Sequence, residues 1–262
     1  MKHTKIGTGD YLVLVHGALT DETMWLPHRE HLQSDYEVVA ITQRHFADAA
    51  EGGFGLNTHA DDLASFLCDL AGEKPVFVVG WSYGADVVLN MLVRHSIDLA
   101  GALLYEPGFP GCLTEEEMDA WLADANAMFG KVFEHFSQGR LGLAVETMID
   151  GSGNKPGYFL NQDPGVRDQQ LAKANTLALQ LNQQEQPEIN RSTVADIRVP
   201  LTVGFGAETR AMFRLVSLKT AECAEAAVLV EVVGEGHMLP QENPAKFAEI
   251  IKNASAETGR QG

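Results

Sequence analysis

The pentapeptide Gly80-Trp81-Ser82-Tyr83-Gly84 lies between the apolar run VFVV (76–79) and the helix-forming stretch ADVVLNMLVRH (85–95), and it constrains the fold more than any other part of the sequence. A chain that passes from strand to helix within so few residues must turn sharply, and a serine at the apex is held in a strained backbone conformation. Glycines two residues to either side remove the Cβ atoms that would otherwise strike neighbouring backbone. The hydroxyl then points outward above the sheet. Behind it, the N-terminus of the following helix directs unpaired N–H groups and a partial positive charge at the same place, a setting that stabilises a developing oxyanion.

The rest of the chain repeats the alternation of short β-branched runs with longer segments of helical period, the pattern of βαβ units around a mostly parallel sheet. Strands are expected near 11–15, 36–41, 76–80, 100–105, 200–205 and 228–233, with a weaker one before Gly7. Several lack polar alternation, as strands covered on both faces do. After the second strand, Asn57 or Thr58 is expected to cap a helix with Asp61 and Asp62 in its first turn, ended by Gly72 and Pro75. Another helix covers 83–95, and Asn243 with Pro244 starts the last one. The tail ASAETGRQG is polar and expected to fray.

About ninety residues separate Tyr105 from Pro200, far more than one crossover helix requires. Thr114 and Glu117 form a capping box, and apolar residues from Met118 to Phe136 recur at helical spacing, giving one long amphipathic helix. A second helix near 140–149, a turn-rich and flexible joint GSGNKPG (151–157) and a third helix near 166–183 complete a helical insertion. The expected organisation is therefore an α/β core over 1–107 and 196–254, a helical cap over 108–195, and a disordered tail over 255–262.

Composition narrows the partners. Among 262 residues, 36 acids against 19 bases give a net charge of −17, which repels nucleic acid and anionic membranes over most of the surface. The apolar runs YLVLV, VFVV and ALLY are far too short to span a bilayer. No signal peptide is read at the N-terminus. Cys68, Cys112 and Cys223 are odd in number and widely spaced, which suits reduced thiols and a cytoplasmic location.

The elbow, together with VLVHGAL (13–19) near the start and a late histidine loop, resembles the α/β-hydrolase superfamily over nearly the whole chain. The resemblance implies a mostly parallel sheet flanked by helices, with Ser82 as nucleophile. It also implies that the loop after His16-Gly17 supplies one oxyanion donor, so that the backbone N–H of Ala18 pairs with that of Tyr83. The side chain of His16 is read as a brace for that loop. His237, in VEVVGEGHMLPQENPAKF (230–247), follows the last strand and precedes the last helix, where the superfamily places its general base. The acid follows either of two strands. Glu106 in LLYEPGF is preferred, because LYEPG and QRHF (43–46) resemble a branch whose acid follows the earlier strand. Glu208 in GFGAETRAMF is the alternative, and the position where an Asp is usual there is Thr209.

Trp25 and Trp81 are candidate substrate contacts, with core packing as the equal alternative; the same holds for the Tyr83 ring. Asp86 is read as a surface residue or one behind the site, able to hold a neighbouring loop. His59, Asp61 and Asp62 suggest metal ligands, but a helix start accounts for all three, so no metal is expected. GTG (7–9) and GSGNKPG lack the context of a phosphate loop. The expectation is a cofactor-free serine hydrolase that cleaves a carboxylic ester, lactone or related acyl bond of a small, largely apolar molecule through an acyl-serine. Cofactor-free lyases, carbon–carbon bond hydrolases, perhydrolases, dioxygenases and slow-turnover receptors use the same scaffold and stand as alternatives. Oligomeric state is not legible in the sequence.

Overall fold

The computed structural model describes residues 1–47 and 50–258. Its seven strands are β1 (Lys2–Gly7), β2 (Asp10–Val15), β3 (Tyr36–Thr42), β4 (Val76–Trp81), β5 (Gly101–Tyr105), β6 (Leu201–Gly206) and β7 (Val228–Val232). They form one sheet in the order β1-β3-β2-β4-β5-β6-β7, parallel throughout except where β1 runs antiparallel to β3. The weak strand before Gly7 is thus a full edge strand. Its residues are largely exposed, which is why no apolar alternation marks it.

The central strands are apolar at every position because the sheet has a core on each face. Along β2, Val13 and Val15 join one cluster while Leu12 and Leu14 join the other. The first cluster is closed by α2 (Leu56–Ala71) and α3 (Tyr83–Arg94), and the second by α1 (Leu26–Leu32) and α12 (Pro244–Thr258). Burying each such side chain stabilises the fold by roughly 1.5–3 kcal/mol, and a one-residue slip of β2 would exchange its leucines and valines between two differently shaped cores.

The start of α2 differs from expectation. The helix begins at Leu56, and its cap comes from Glu185, whose carboxylate accepts the N–H groups of Asn57 at 2.7 Å and Thr58 at 3.1 Å and also the Thr58 hydroxyl. An anion there satisfies unpaired donors and opposes the helix dipole, as a local Asn or Thr would. Asp61 and Asp62 lie beyond the first turn and pair with Arg94 and Arg44 instead. At the other end of the chain, the Asn243 side chain accepts from Lys246 N at 3.2 Å, and α12 continues to Thr258. The expected disorder of 255–262 is thereby corrected over 255–258, where the chain is helical, and 259–262 lie outside the described residues.

Helices fill the chain between β5 and β6: α4 (Glu115–Ser137), α5 (Leu141–Ser152), α6 (Tyr158–Asn161), α7 (Pro164–Ala172), α8 (Ala174–Asn182) and α9 (Arg191–Ala195). The capping box of α4 forms as expected, Glu117 N donating to Thr114 Oγ1 and Thr114 N to the Glu117 carboxylate. The stretch 166–183 is two helices that meet at Lys173. The apolar face of α8 packs with those of α4 and α5 onto Leu19, Met212 and Phe213. In the turn 151–157, Asp150 receives the N–H groups of Gly157 and Phe159, each at 2.7 Å, so a carboxylate braces this joint. The remaining helices are α10 (Ala211–Cys223), which packs on β6, and the single turn α11 (Leu239–Glu242).

Candidate active site

β4 ends at Trp81 and α3 starts at Tyr83, leaving Ser82 alone in the turn with φ 55° and ψ −123°. A Cβ on Gly80 would lie 2.5 Å from the Gly84 carbonyl oxygen, and one on Gly84 would lie 2.4 Å from that of His16. Neither position accepts any other residue without backbone movement. The turn is held from the next strand, as Ser82 N donates to the carbonyl of Tyr105 at 2.9 Å.

His237 sits on the loop between β7 and α11 and is buried. Its Nδ1 is 2.7 Å from Glu106 Oε2, and its Nε2 is 2.9 Å from Ser82 Oγ. An ionised carboxylate only accepts, so Nδ1 carries the ring proton and Nε2 is left to accept from the serine hydroxyl. His237 is held at two further points, one on its backbone and one on its ring. Trp81 Nε1 donates to the His237 carbonyl at 2.8 Å, and the Phe213 ring stacks on the imidazole with centroids 4.0 Å apart.

Glu106 directly follows β5, is fully buried and has φ 51°. Its backbone N–H donates to Gly204 O at 3.0 Å, Gly206 N donates to its Oε1 at 2.8 Å, and Thr209 Oγ1 donates to its Oε2 at 2.6 Å. Both oxygens of the carboxylate are therefore engaged. Glu208 lies elsewhere: its side chain is exposed, and it is its peptide group that is engaged, donating to Glu235 O at 2.8 Å. Of the two acids read from the sequence, Glu106 is the one brought to His237.

The loop carrying Ala18 runs beside the elbow, since a Cβ on Gly17 would lie 3.3 Å from that of Ser82. Neither Ala18 N nor Tyr83 N has a hydrogen-bond acceptor among the described residues, leaving both available to a ligand at Ser82. His16 receives Gln43 N on Nε2 at 3.1 Å, so its Nδ1–H donates to Gly17 O at 2.8 Å. Burial pushes this imidazole down to about 4, and it is a neutral brace.

Two aromatic candidates are core residues. Trp25 is fully buried on the α1/α12 side, stacked on Phe247 and edge-on to His28, and it does not reach the cavity over Ser82; that expectation is corrected, because the 3-10 turn at 22–25 carries its indole under the sheet. The Tyr83 ring packs with Phe46 and Phe54, its hydroxyl 2.7 Å from His59 Nδ1. Trp81 lines the cavity, together with Leu19, Met148, Gln170, Met238 and Gln241. His59, Asp61 and Asp62 diverge, and no group of three or more His, Cys, Asp or Glu among the described residues is placed to hold a metal ion.

Sequence reasoning passed over Phe213 and the function of Thr209, although the occupation of the usual acid position by a hydroxyl residue was a usable signal for the latter. Asp86 proves to be buried, and its Oδ1 receives Gly108 N at 2.9 Å and Phe109 N at 3.0 Å, tying the loop after Glu106 to the elbow helix. Burial pushes its carboxyl up to about 7, with the two N–H groups opposing the rise. The cavity has a free volume of only about 20 Å3, room for about one water molecule.

A doubly covered parallel sheet, a strained serine elbow and a histidine bridging serine to carboxylate define a hydrolase-type fold. The sequence pattern of the alpha/beta hydrolase family matches residues 12–250. The chain belongs to that family. It is 31% identical over 106 residues to an uncharacterized hydrolase, YraK, of Bacillus subtilis (strain 168), a match spanning 38% of each protein. The chain thus aligns with little more than a third of that relative. In three dimensions it is similar to MenH from S. aureus, with a TM-score of 0.76 at 19% identity over 98% of both chains. It is likewise similar to a thermophilic esterase from Thermogutta terrifontis, with a TM-score of 0.75 at 22% identity over 98% of this chain and 93% of that one. At such identities the likeness is one of fold.

Proposed function

We propose that this enzyme is a serine hydrolase acting on the carboxylic ester, or a lactone or related acyl bond, of a small molecule. The observation that carries the reading is the continuous chain from Ser82 Oγ through His237 to Glu106, at 2.9 and 2.7 Å, with the serine in a strained elbow. Ser82 attacks the carbonyl carbon as His237 Nε2 takes its proton, and Glu106 stabilises the imidazolium without itself becoming protonated. The N–H groups of Ala18 and Tyr83 hold the oxyanion. His237 then returns its proton to the leaving alcohol, and water activated by the same ring cleaves the acyl-serine. No cofactor enters this cycle.

The test is a fluorophosphonate probe followed by peptide mass spectrometry, with turnover of p-nitrophenyl, methyl and lactone esters of graded chain length alongside. One adduct per chain, on Ser82, is expected, and Ser82→Ala should lower kcat on the order of 10⁴-fold. Labelling at another residue, or full turnover by Ser82→Ala, would overturn the reading in favour of a mechanism without an acyl-enzyme.

A further inference from the structure

The cavity above Ser82 is too small for any ester, yet a second space adjoins it. A cleft of about 360 Å3 lies at the seam between α6–α7 of the cap and α11 of the core, lined by Lys155, Tyr158, Asn161, Gln162, Gln241 and Glu242. That is within the ordinary range for small-molecule sites. Gln241 lines both spaces. Gln170, which lines the inner cavity, exchanges two hydrogen bonds with Gln162, which lines the outer cleft, at 3.0 and 3.1 Å. Three primary amides thus link the linings of the two spaces.

Resting on the acyl-serine reading above, we infer that the outer cleft is the second half of the substrate site, joined to the Ser82 cavity when Gln162, Gln170 and Gln241 are displaced, and that it selects neutral esters or lactones bearing an amide or hydroxyl group.

The chemistry follows from what displacement costs. Gln170 is fully buried, and among the described residues the only hydrogen-bond partner of its side chain is Gln162. A wholly apolar chain that parted them would leave a buried donor and acceptor unpaired, whereas an amide or hydroxyl on the substrate replaces both bonds. Gln241 Oε1 is buried and has no hydrogen-bond partner among the described residues, so it gains a bond from any incoming N–H or O–H. Charge argues in the same direction. The cleft presents the carboxylates of Asp163 and Glu242 against the single ammonium of Lys155, which disfavours an anionic substrate.

The experiment compares ethyl N-acetyl-beta-alaninate with its ketone isostere, in which CH2 replaces the amide N–H, on the wild-type enzyme and on Gln241→Met. The wild type is expected to favour the amide ester on the order of 10-fold in kcat/KM, since a site built around hydrogen bonds rejects the analogue lacking one. Gln241→Met should abolish the preference. Because glutamine does not titrate, the wild-type preference should also stay constant across the pH range in which overall rate changes. If Gln241→Met fails to fold, Gln162→Met at the surface end of the amide pair takes its place. The fluorophosphonate probe separates the two failures: labelled Ser82 with no preference for the amide, or with a preference that survives both variants, overturns the subsite alone. An unlabelled Ser82 with neither ester turned over overturns the acyl-serine reading, and the subsite with it.

Discussion

Thr209 donates its hydroxyl to Glu106 Oε2, the same oxygen that receives the His237 ring N–H, and the two contacts measure 2.6 and 2.7 Å. The residue after Glu208 thus serves a carboxylate that arrives from a different strand. Two places that could each supply an acid share the task, one giving the charge and the other a hydroxyl that fixes its rotamer.

Exchanging charge for shape at each acid separates their roles. Glu106→Gln should lower kcat on the order of 10²- to 10⁴-fold, because a neutral amide both withdraws the charge facing the imidazolium and disturbs the His237 tautomer. Glu208→Gln, on an exposed side chain, should change kcat by less than about threefold. Thr209→Val should cost roughly fivefold, the equivalent of about 1 kcal/mol for one hydrogen bond. Steady-state kinetics on one ester suffices, and the opposite ranking of the two glutamine variants would reassign the acid.

Asp86 should matter through the loop it holds. Asp86→Ala frees Gly108 N and Phe109 N, and with them the segment that carries Glu106 and lies under Phe213; a displacement of this kind costs on the order of 10- to 100-fold in kcat. Asp86→Asn keeps an acceptor in place and should remain within about fivefold of wild type. Rates must be expressed per active site titrated with the fluorophosphonate. If Asp86→Ala then matches wild type, the residue contributes only to folding.

Lys173, at the junction of α7 and α8, is 2.8 Å from Asp21, which also accepts from Gln169 Nε2 at 2.8 Å. Burial alone would raise the Asp21 carboxyl; the Lys173 ammonium and Thr23 outweigh it and hold it near about 2. This pair fastens the cap beside the loop that carries Ala18. Lys173→Met should accelerate amide exchange in α7 and α8 by about 10- to 100-fold while leaving β4 unchanged, because local opening no longer breaks a charged hydrogen bond. Unaltered exchange in α7 and α8 would show that the latch lies elsewhere.

Acid should weaken the fold through its buried histidines. Burial pushes His16 and His59 down to about 4 and His28 to about 3 from an ordinary value of 6.5. Their contribution is present above pH 6.5 and is lost as pH falls through 4, because the unfolded chain takes up protons that the folded one refuses. Asp86 acts in the opposite sense: its raised carboxyl binds a proton in the folded state between 3.8 and about 7, so its contribution fades as pH rises through that window. Near pH 5 the balance is three histidines less one carboxyl, or about two protons, and stability should decline by about 3 kcal/mol per pH unit on acidification. Urea midpoints at successive pH values measure this slope, and His28→Phe should reduce it by about one proton.

What the sequence disclosed depended on how local the cause was. The elbow is written in adjacent residues, and the strands of the sheet interior are apolar runs whose two-sided burial leaves a continuous signature. The cap of α2 was hidden because its anion, Glu185, lies 128 residues from Asn57 along the chain. The division of 166–183 was hidden because neither Gly nor Pro marks Lys173. The place of Trp25 was unreadable for another reason: an indole that follows the loop of His16–Leu19 in sequence can point to either face of the sheet, and tertiary packing alone decides which.

The helical segment departs from β5 and returns through β6, which are hydrogen-bonded neighbours with Ala102 opposite Leu201. Its two ends therefore reach the sheet side by side, and the segment can be exchanged for another without altering the order or register of any strand. The junction sets the terms of such a graft. Residues 106–109 must travel with the sheet, since they bear Glu106 and are anchored by Asp86, whereas Glu185 must travel with the insert or be replaced, since without it α2 loses its cap. Chimeras cut after 109 and rejoined beyond 190 would vary what the enzyme admits while leaving intact how it reacts.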